Sequence, residues 1–166
     1  MKIEFKIIAI SFFFSKIMSN NKYRRIKFEI EDLKANPLQG FTIKAEDDNF
    51  LQFKGVIEGP EGTPYEGGNI KFRIELSEYY PHKCPSFYFN PPLFHLNVQQ
   101  TTGELDSEIL GNWRPTIKLR KICEEAIRII KEPTPYCACD YGDLFINNRA
   151  EYERLAREWT QHNAMP

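Results

Sequence analysis

Several things are scarce in this chain, and each scarcity excludes something. No stretch is apolar for long enough to span a membrane. The apolar run from Ile7 to Phe14 falls far short of the ~20 residues that a spanning helix needs. Cysteine occurs four times, at 84, 123, 137 and 139, too few and too unevenly for a disulfide framework, which points to a reducing compartment. Charge of one sign is not in excess. A net charge of -1 makes the molecule no electrostatic trap for nucleic acid or anionic lipid. Neither nucleic-acid binding nor stable membrane insertion is therefore expected. Paired metal-ligand spacings are also missing. Cys137-Ala138-Cys139 would need two further ligands, and Cys84, Cys123, His82, His95 and His162 are scattered, so neither metal nor cofactor is expected. No linker, repeat or low-complexity tract follows residue 21.

What is present describes one soluble domain. The 166 residues suffice to bury a full core, and 42% hydrophobic with 27% charged residues is ordinary for a globular protein. Residues 1–21 stand apart as an apolar extension, and 22–166 form the domain. The extension has three readings: a disordered or untranslated leader with a start at Met18, an apolar arm packed on the domain, or a targeting signal. Glu4 sits where a signal peptide should be basic.

Periodicity predicts a helix over 22–36, with Tyr23, Ile26, Ile30 and Leu33 on one face and Pro37 as its stop. Strands follow at 41–43 and 50–58, ended by Gly59-Pro60-Glu61-Gly62. Residues 69–76 alternate through Ile70, Phe72, Ile74 and Leu76, as a half-buried strand does, and 86–89 form a short fourth strand. An irregular, proline-marked stretch runs from Asn90 to Pro115. Helical spacing returns at 117–131, through Leu119, Ile122, Cys123, Ala126, Ile129 and Ile130, and again at 149–163. Consecutive strands joined by short turns, with helices segregated from them, predict an α+β fold built on an antiparallel meander. The long crossing after the fourth strand is the expected seat of function.

Several blocks carry a resemblance over residues 22 to 165. They are Lys22-Tyr23-Arg24-Arg25-Ile26 through Leu33, then Ile57-Glu58-Gly59-Pro60 with Thr63-Pro64-Tyr65-Glu66-Gly67-Gly68. Tyr80-Pro81, His95-Leu96-Asn97-Val98, Trp113-Arg114-Pro115 and Ala156-Arg157-Glu158-Trp159-Thr160 follow in order. Together they resemble the ubiquitin-conjugating enzyme family. The resemblance implies that family's UBC-like fold and an acyl transfer in which a cysteine carries ubiquitin as a thioester. That chemistry needs a soft nucleophile that is also a good leaving group, and a donor for the developing oxyanion.

The cysteine is the missing part. Between His95 and Trp113 the chain has none. Counting without gaps puts Leu105 at its position. Matching the family's Gly-x-Ile-Cys pattern to Gly103-Glu104-Leu105 puts Asp106 there. The second register is preferred, because a glycine anchors a loop better than counting does. Leucine has no nucleophile, and an aspartyl anhydride hydrolyses too readily to carry ubiquitin. Asn97 matches the family's loop asparagine, and without the cysteine it reads as a structural residue bonding nearby backbone. His95 reads likewise.

Cys137 falls where the family commonly has an aspartate beside the catalytic cysteine. That makes it, with Cys139, the candidate for a relocated nucleophile. The resemblance also implies partner surfaces. Arg24 and Arg25 lie on the basic first helix, which in the family docks the activating enzyme. His82 and Pro115 hold ligase-contact positions, though His82 replaces an aromatic and Arg114-Pro115-Thr116 replaces a Ser-Pro-Ala turn. Thr42 lies on the sheet face where some members hold a second ubiquitin. The expectation is a pseudoenzyme of the cytoplasm or nucleus, a ubiquitin-conjugating-enzyme-like partner of ubiquitin, a ubiquitin-like protein or an active conjugating enzyme. The alternative is an active conjugating enzyme that uses Cys137 or Cys139. Activating enzymes and ligases are the other partners implied.

Overall fold

A computed structural model describes residues 21–46, 50–135 and 141–166. Helix α1 (Asn21–Ala35) leads into four strands, β1 (Phe41–Ala45), β2 (Gln52–Glu58), β3 (Asn69–Glu75) and β4 (Ser86–Phe89). The short helix α2 (Glu108–Gly111), the long helix α3 (Leu119–Lys131), and helices α4 (Gly142–Asn147) and α5 (Arg149–Asn163) complete the order. The sheet is an antiparallel meander, β1-β2-β3-β4, so the fold is α+β as the sequence predicts. Two helices were not predicted, α2 within the proline-marked crossing and α4 before the last helix. Both are shorter than the two turns that a periodic pattern needs in order to show.

The sheet's inner face carries an aromatic row. Phe41 on β1 stacks on Phe72 of β3 with ring centroids 4.8 Å apart, and Phe72 stacks on Phe87 of β4 at 4.9 Å. Strands β1 and β3 are not neighbours, and two strand spacings amount to about 10 Å. The rings meet because β2 places Gly55 opposite Phe72. A Cβ at Gly55 would lie 2.5 Å from the Phe72 ring and 1.9 Å from the Thr42 carbonyl oxygen. Against this row pack Ile26 and Leu33 of α1 and the buried face of α3, from Leu119 through Ile122, Cys123, Ala126, Ile129 and Ile130. The far end is closed by α5. Thr160 Oγ1 donates to the Pro64 carbonyl at 3.2 Å, and the Asn69 amide donates to the Ala164 carbonyl at 2.6 Å. Among the described residues no helix is long and apolar enough to cross a membrane.

Replacing Gly55 with alanine forces either the Phe72 ring or the β1 backbone to move. Overpacking of this kind costs about 1–3 kcal/mol. The expected outcome is a lower urea midpoint with a changed near-ultraviolet circular dichroism signal, and an unchanged midpoint would contradict the packing described.

Candidate functional site

One buried carboxylate ties the connection before β4 to the end of the long crossing. Glu29, on the inner face of α1, is 1% exposed. Its Oε2 accepts the Tyr80 hydroxyl at 2.7 Å and the Leu119 amide at 2.8 Å. Tyr80 lies in the connection between β3 and β4, and Leu119 is the first residue of α3, where the crossing ends. The second bond satisfies a backbone donor that the first turn of a helix otherwise leaves open. Arg25 pairs with Glu29 and donates to the Ile117 carbonyl at 3.0 Å. Burial and the bond to Glu29 hold the Tyr80 phenol far above the usual tyrosine range. The sequence carried a sign of this arrangement. Glu29 stands three residues after Ile26 and four before Leu33, on the apolar stripe itself, where a charge requires a partner.

Inside the crossing the chain doubles back. Val98 bridges Leu105 and Tyr88 bridges Glu104, so the returning limb lies against the edge of β4. Gly103 makes the turn with φ 76°, and a Cβ there would sit 2.2 Å from the Phe89 carbonyl oxygen. Leu105 is 2% exposed and packs into the core. Asp106, the next residue, faces solvent, and its amide donates to the Asn97 carbonyl at 2.8 Å. Ser107 caps α2 by accepting from the Leu110 amide at 3.3 Å.

Asp106 stands on a groove of about 750 Å³ whose walls include Cys84, Asn97, Val98, Glu104 and Leu110. Asn97 is buried. Its Oδ1 accepts the Thr134 amide at 2.9 Å and its Nδ2 donates to the Thr134 carbonyl at 3.1 Å. The side chain therefore clasps the backbone just beyond α3. His95 is fully buried and accepts the Asn97 amide on Nδ1 at 2.9 Å, which leaves its proton on Nε2. That nitrogen has no partner of ordinary hydrogen-bond geometry, though the Ile129 carbonyl offsets part of the burial cost. Desolvation pushes the His95 pKa down to about 3, so the ring is neutral. Two tyrosines fix the backbone around it. The Tyr65 hydroxyl donates to the Phe94 carbonyl at 2.7 Å, and the Leu96 amide donates to the Tyr152 hydroxyl at 3.0 Å.

The two cysteines in the described residues are poor nucleophiles. Burial, then the Glu104 carboxylate, pushes the Cys84 thiol up to about 11, and that thiol donates to the Pro85 and Leu110 carbonyls. Cys123 is wholly buried on α3 and is pushed higher still. Cys137 and Cys139 lie outside the described residues. No group of three or more His, Cys, Asp or Glu placed to hold a metal occurs among the described residues.

The predicted surface residues separate. Arg24 is exposed on α1, whereas Arg25 is half-buried and engaged with Glu29 and Ile117. His82 and Pro115 are both exposed, on neighbouring loops joined by the Trp113 Nε1 bond to the Pro81 carbonyl at 2.8 Å. Thr42 is exposed on β1 and borders a concavity of about 500 Å³ on the outer sheet face.

A protein-family model for ubiquitin-conjugating enzymes matches residues 25–160. Ubiquitin-conjugating enzyme E2 1 of Schizosaccharomyces pombe is 33% identical over 150 residues, covering 89% of this chain and 69% of that protein. Ubiquitin-conjugating enzyme E2 13 of Saccharomyces cerevisiae is 32% identical over 141 residues, covering 83% and 92%. Among solved structures, a Toxoplasma gondii ubiquitin conjugating enzyme E2 domain superposes with a TM-score of 0.75 at 25% identity, covering 86% of this chain and 98% of that one.

Two outcomes follow from this geometry. Replacing Glu29 with alanine strips the charge partner from Arg25 and the acceptor from Tyr80 and Leu119. Removing one member of a buried pair costs about 3–5 kcal/mol, and hydrogen exchange is expected to rise first at residues 117–122. A fall in stability with no local rise would contradict the anchor. His95 sets a pH dependence. Its folded pKa lies below the ordinary value of 6.5, so the unfolded chain takes up the proton first as pH falls. Its contribution is intact above about pH 6.5 and is lost as pH drops toward the folded value, at up to about 1.4 kcal/mol per pH unit. Urea unfolding between pH 7 and pH 5, where carboxylates stay ionised, should show this slope in the native chain and a flatter one in His95→Asn. Parallel curves would contradict it.

Proposed function

The chain belongs to the ubiquitin-conjugating enzyme family, and from that premise we propose that it is an inactive member, a binding or regulatory partner in the ubiquitin pathway. One observation carries the reading. At the groove where the family's cysteine would receive ubiquitin, the solvent-facing residue after the buried Leu105 is Asp106. Leu105 occupies the inward position ahead of it, which favours the register that puts Asp106, and not Leu105, in the cysteine's place. A carboxylate there offers an oxygen, not a sulfur. Its acyl product with the ubiquitin C-terminus would be a mixed anhydride, which water cleaves before a lysine amine can accept the acyl group.

The rest of the groove supports the same reading. Asn97 clasps Thr134 backbone with both ends of its amide, as a brace between loops. His95 is neutral and buried, and so is a brace rather than a base. The Cys84 thiol lies in the groove wall, but its raised pKa leaves almost no thiolate at neutral pH. Such a chain keeps the family's framework and loses its chemistry. The partners proposed are ubiquitin, a ubiquitin-like protein or an active conjugating enzyme.

Incubating the chain with activating enzyme, ubiquitin and ATP, followed by a non-reducing gel, tests the inactive reading. No thiol-sensitive adduct is expected. An adduct that Cys137→Ala or Cys139→Ala abolishes would replace this reading with that of an active enzyme. Titrating isotope-labelled ubiquitin with the chain is expected to shift a contiguous set of ubiquitin resonances. Unshifted spectra, with no capture of an active conjugating enzyme either, would remove the partner role.

A further inference from the structure

The outer face of the sheet carries an arrangement that stability alone does not explain. Lys44 on β1 stands directly opposite Lys54 on β2, and Lys54 stands directly opposite Arg73 on β3. Directly opposed residues have Cβ atoms about 5 Å apart, and like charges so placed are destabilising. Here three cations form one row across three strands, and Tyr88 on β4 continues it, with the Arg73 guanidinium stacked 4.1 Å from its ring centroid. The next row is Thr42, Val56 and Lys71. Neutralisation is incomplete. Glu46 lies 2.6 Å from Lys54 and Glu75 lies 2.9 Å from Arg73. Lys44 and Lys71 are exposed and form no ion pair among the described residues. Between the rows lies the concavity of about 500 Å³, with half-buried Val56 contributing apolar surface. The molecule as a whole has a net charge of -1, so this concentration of cations is local.

We propose that this face docks an acidic protein segment that seats an aliphatic side chain in the concavity and sets carboxylates on Lys44 and Lys71. An anionic partner relieves the cross-strand repulsion, so docking and the strain of the row are one account. The interleaved Glu46 and Glu75 favour a segment with spaced carboxylates over a continuous phosphodiester chain, whose every linkage is charged. The apolar surface here is confined to a concavity ringed by cations, whereas a lipid surface requires a broad apolar stripe. The resemblance noted above implies ubiquitin on this face, so an acidic occupant is a different partner. The inference does not depend on whether Asp106 supports chemistry.

The test is fluorescence anisotropy of the full chain with a short labelled peptide alternating Glu with Leu, beside a control in which Gln replaces Glu. The acidic peptide is expected to bind, to weaken as salt rises, and to lose roughly tenfold or more in affinity with Lys44→Glu/Lys71→Glu. The milder Lys44→Gln/Lys71→Gln pair should lose affinity in the same direction, so a folding defect in the reversed variant leaves the question answerable. Equal binding of the two peptides, or indifference to both variants, overturns the proposal. So does preferential binding at this face of ubiquitin, of a uridine homopolymer or of phosphatidylserine vesicles, read as resonance shifts at Lys44 and Lys71.

Discussion

A single carboxylate, that of Glu29, ties the chain at Tyr80 to the start of α3. A buried charge is costly unless it is paired and fully hydrogen-bonded, and Glu29 meets that condition only when three separate segments converge on it. Arg25 pairs with it from its own helix, the Tyr80 hydroxyl reaches it from the connection between β3 and β4, and the Leu119 amide from the end of the crossing. The segment from Tyr80 to Leu119, β4 and the crossing together, is therefore held at both ends by one carboxylate. A chain built this way can lose the residue that does chemistry without losing the surface that presented it.

That separation of framework from reaction is visible within the groove. The bonds that hold it are made by backbone and by buried side chains: Asn97 to Thr134, Tyr65 to Phe94, Tyr152 to the Leu96 amide, and His95 to the Asn97 amide. None of them runs through the side chain of Asp106. Exchanging a cysteine for an aspartate at that exposed point leaves the brace intact, because a solvent-facing carboxylate costs little where a buried one would cost much. Leu105, one residue away, is the reverse case, since it fills core.

Much of the fold was legible because it rests on periodicity. The α1 stripe, the alternation of β3 and the last helix over 149–163 each repeat their signal several times. Helices α2 and α4 were not legible, being too short to repeat anything. At the site, the absence of a cysteine between His95 and Trp113 could be read directly, but that Leu105 is buried and Asp106 faces solvent could not, because burial is a property of the folded loop. Arg25 shows the same limit from another side. In sequence it is one of five basic residues on a helix, and only packing reveals that it is turned inward to Glu29 while Arg24 faces solvent. The cation row on the outer sheet face was hidden for a related reason: Lys44, Lys54 and Arg73 are distant in sequence and meet only through strand register.

The central claim is that this chain retains an intact ubiquitin-conjugating framework whose reacting position is held by Asp106. The Asp106→Cys variant addresses it most directly. With activating enzyme, ubiquitin and ATP, intact-mass spectrometry should find one thiol-labile ubiquitin on the variant, mapped to residue 106, and none on the native chain. A folded variant that stays unmodified, or a native chain that acquires the same thiol-labile mass, would contradict the account.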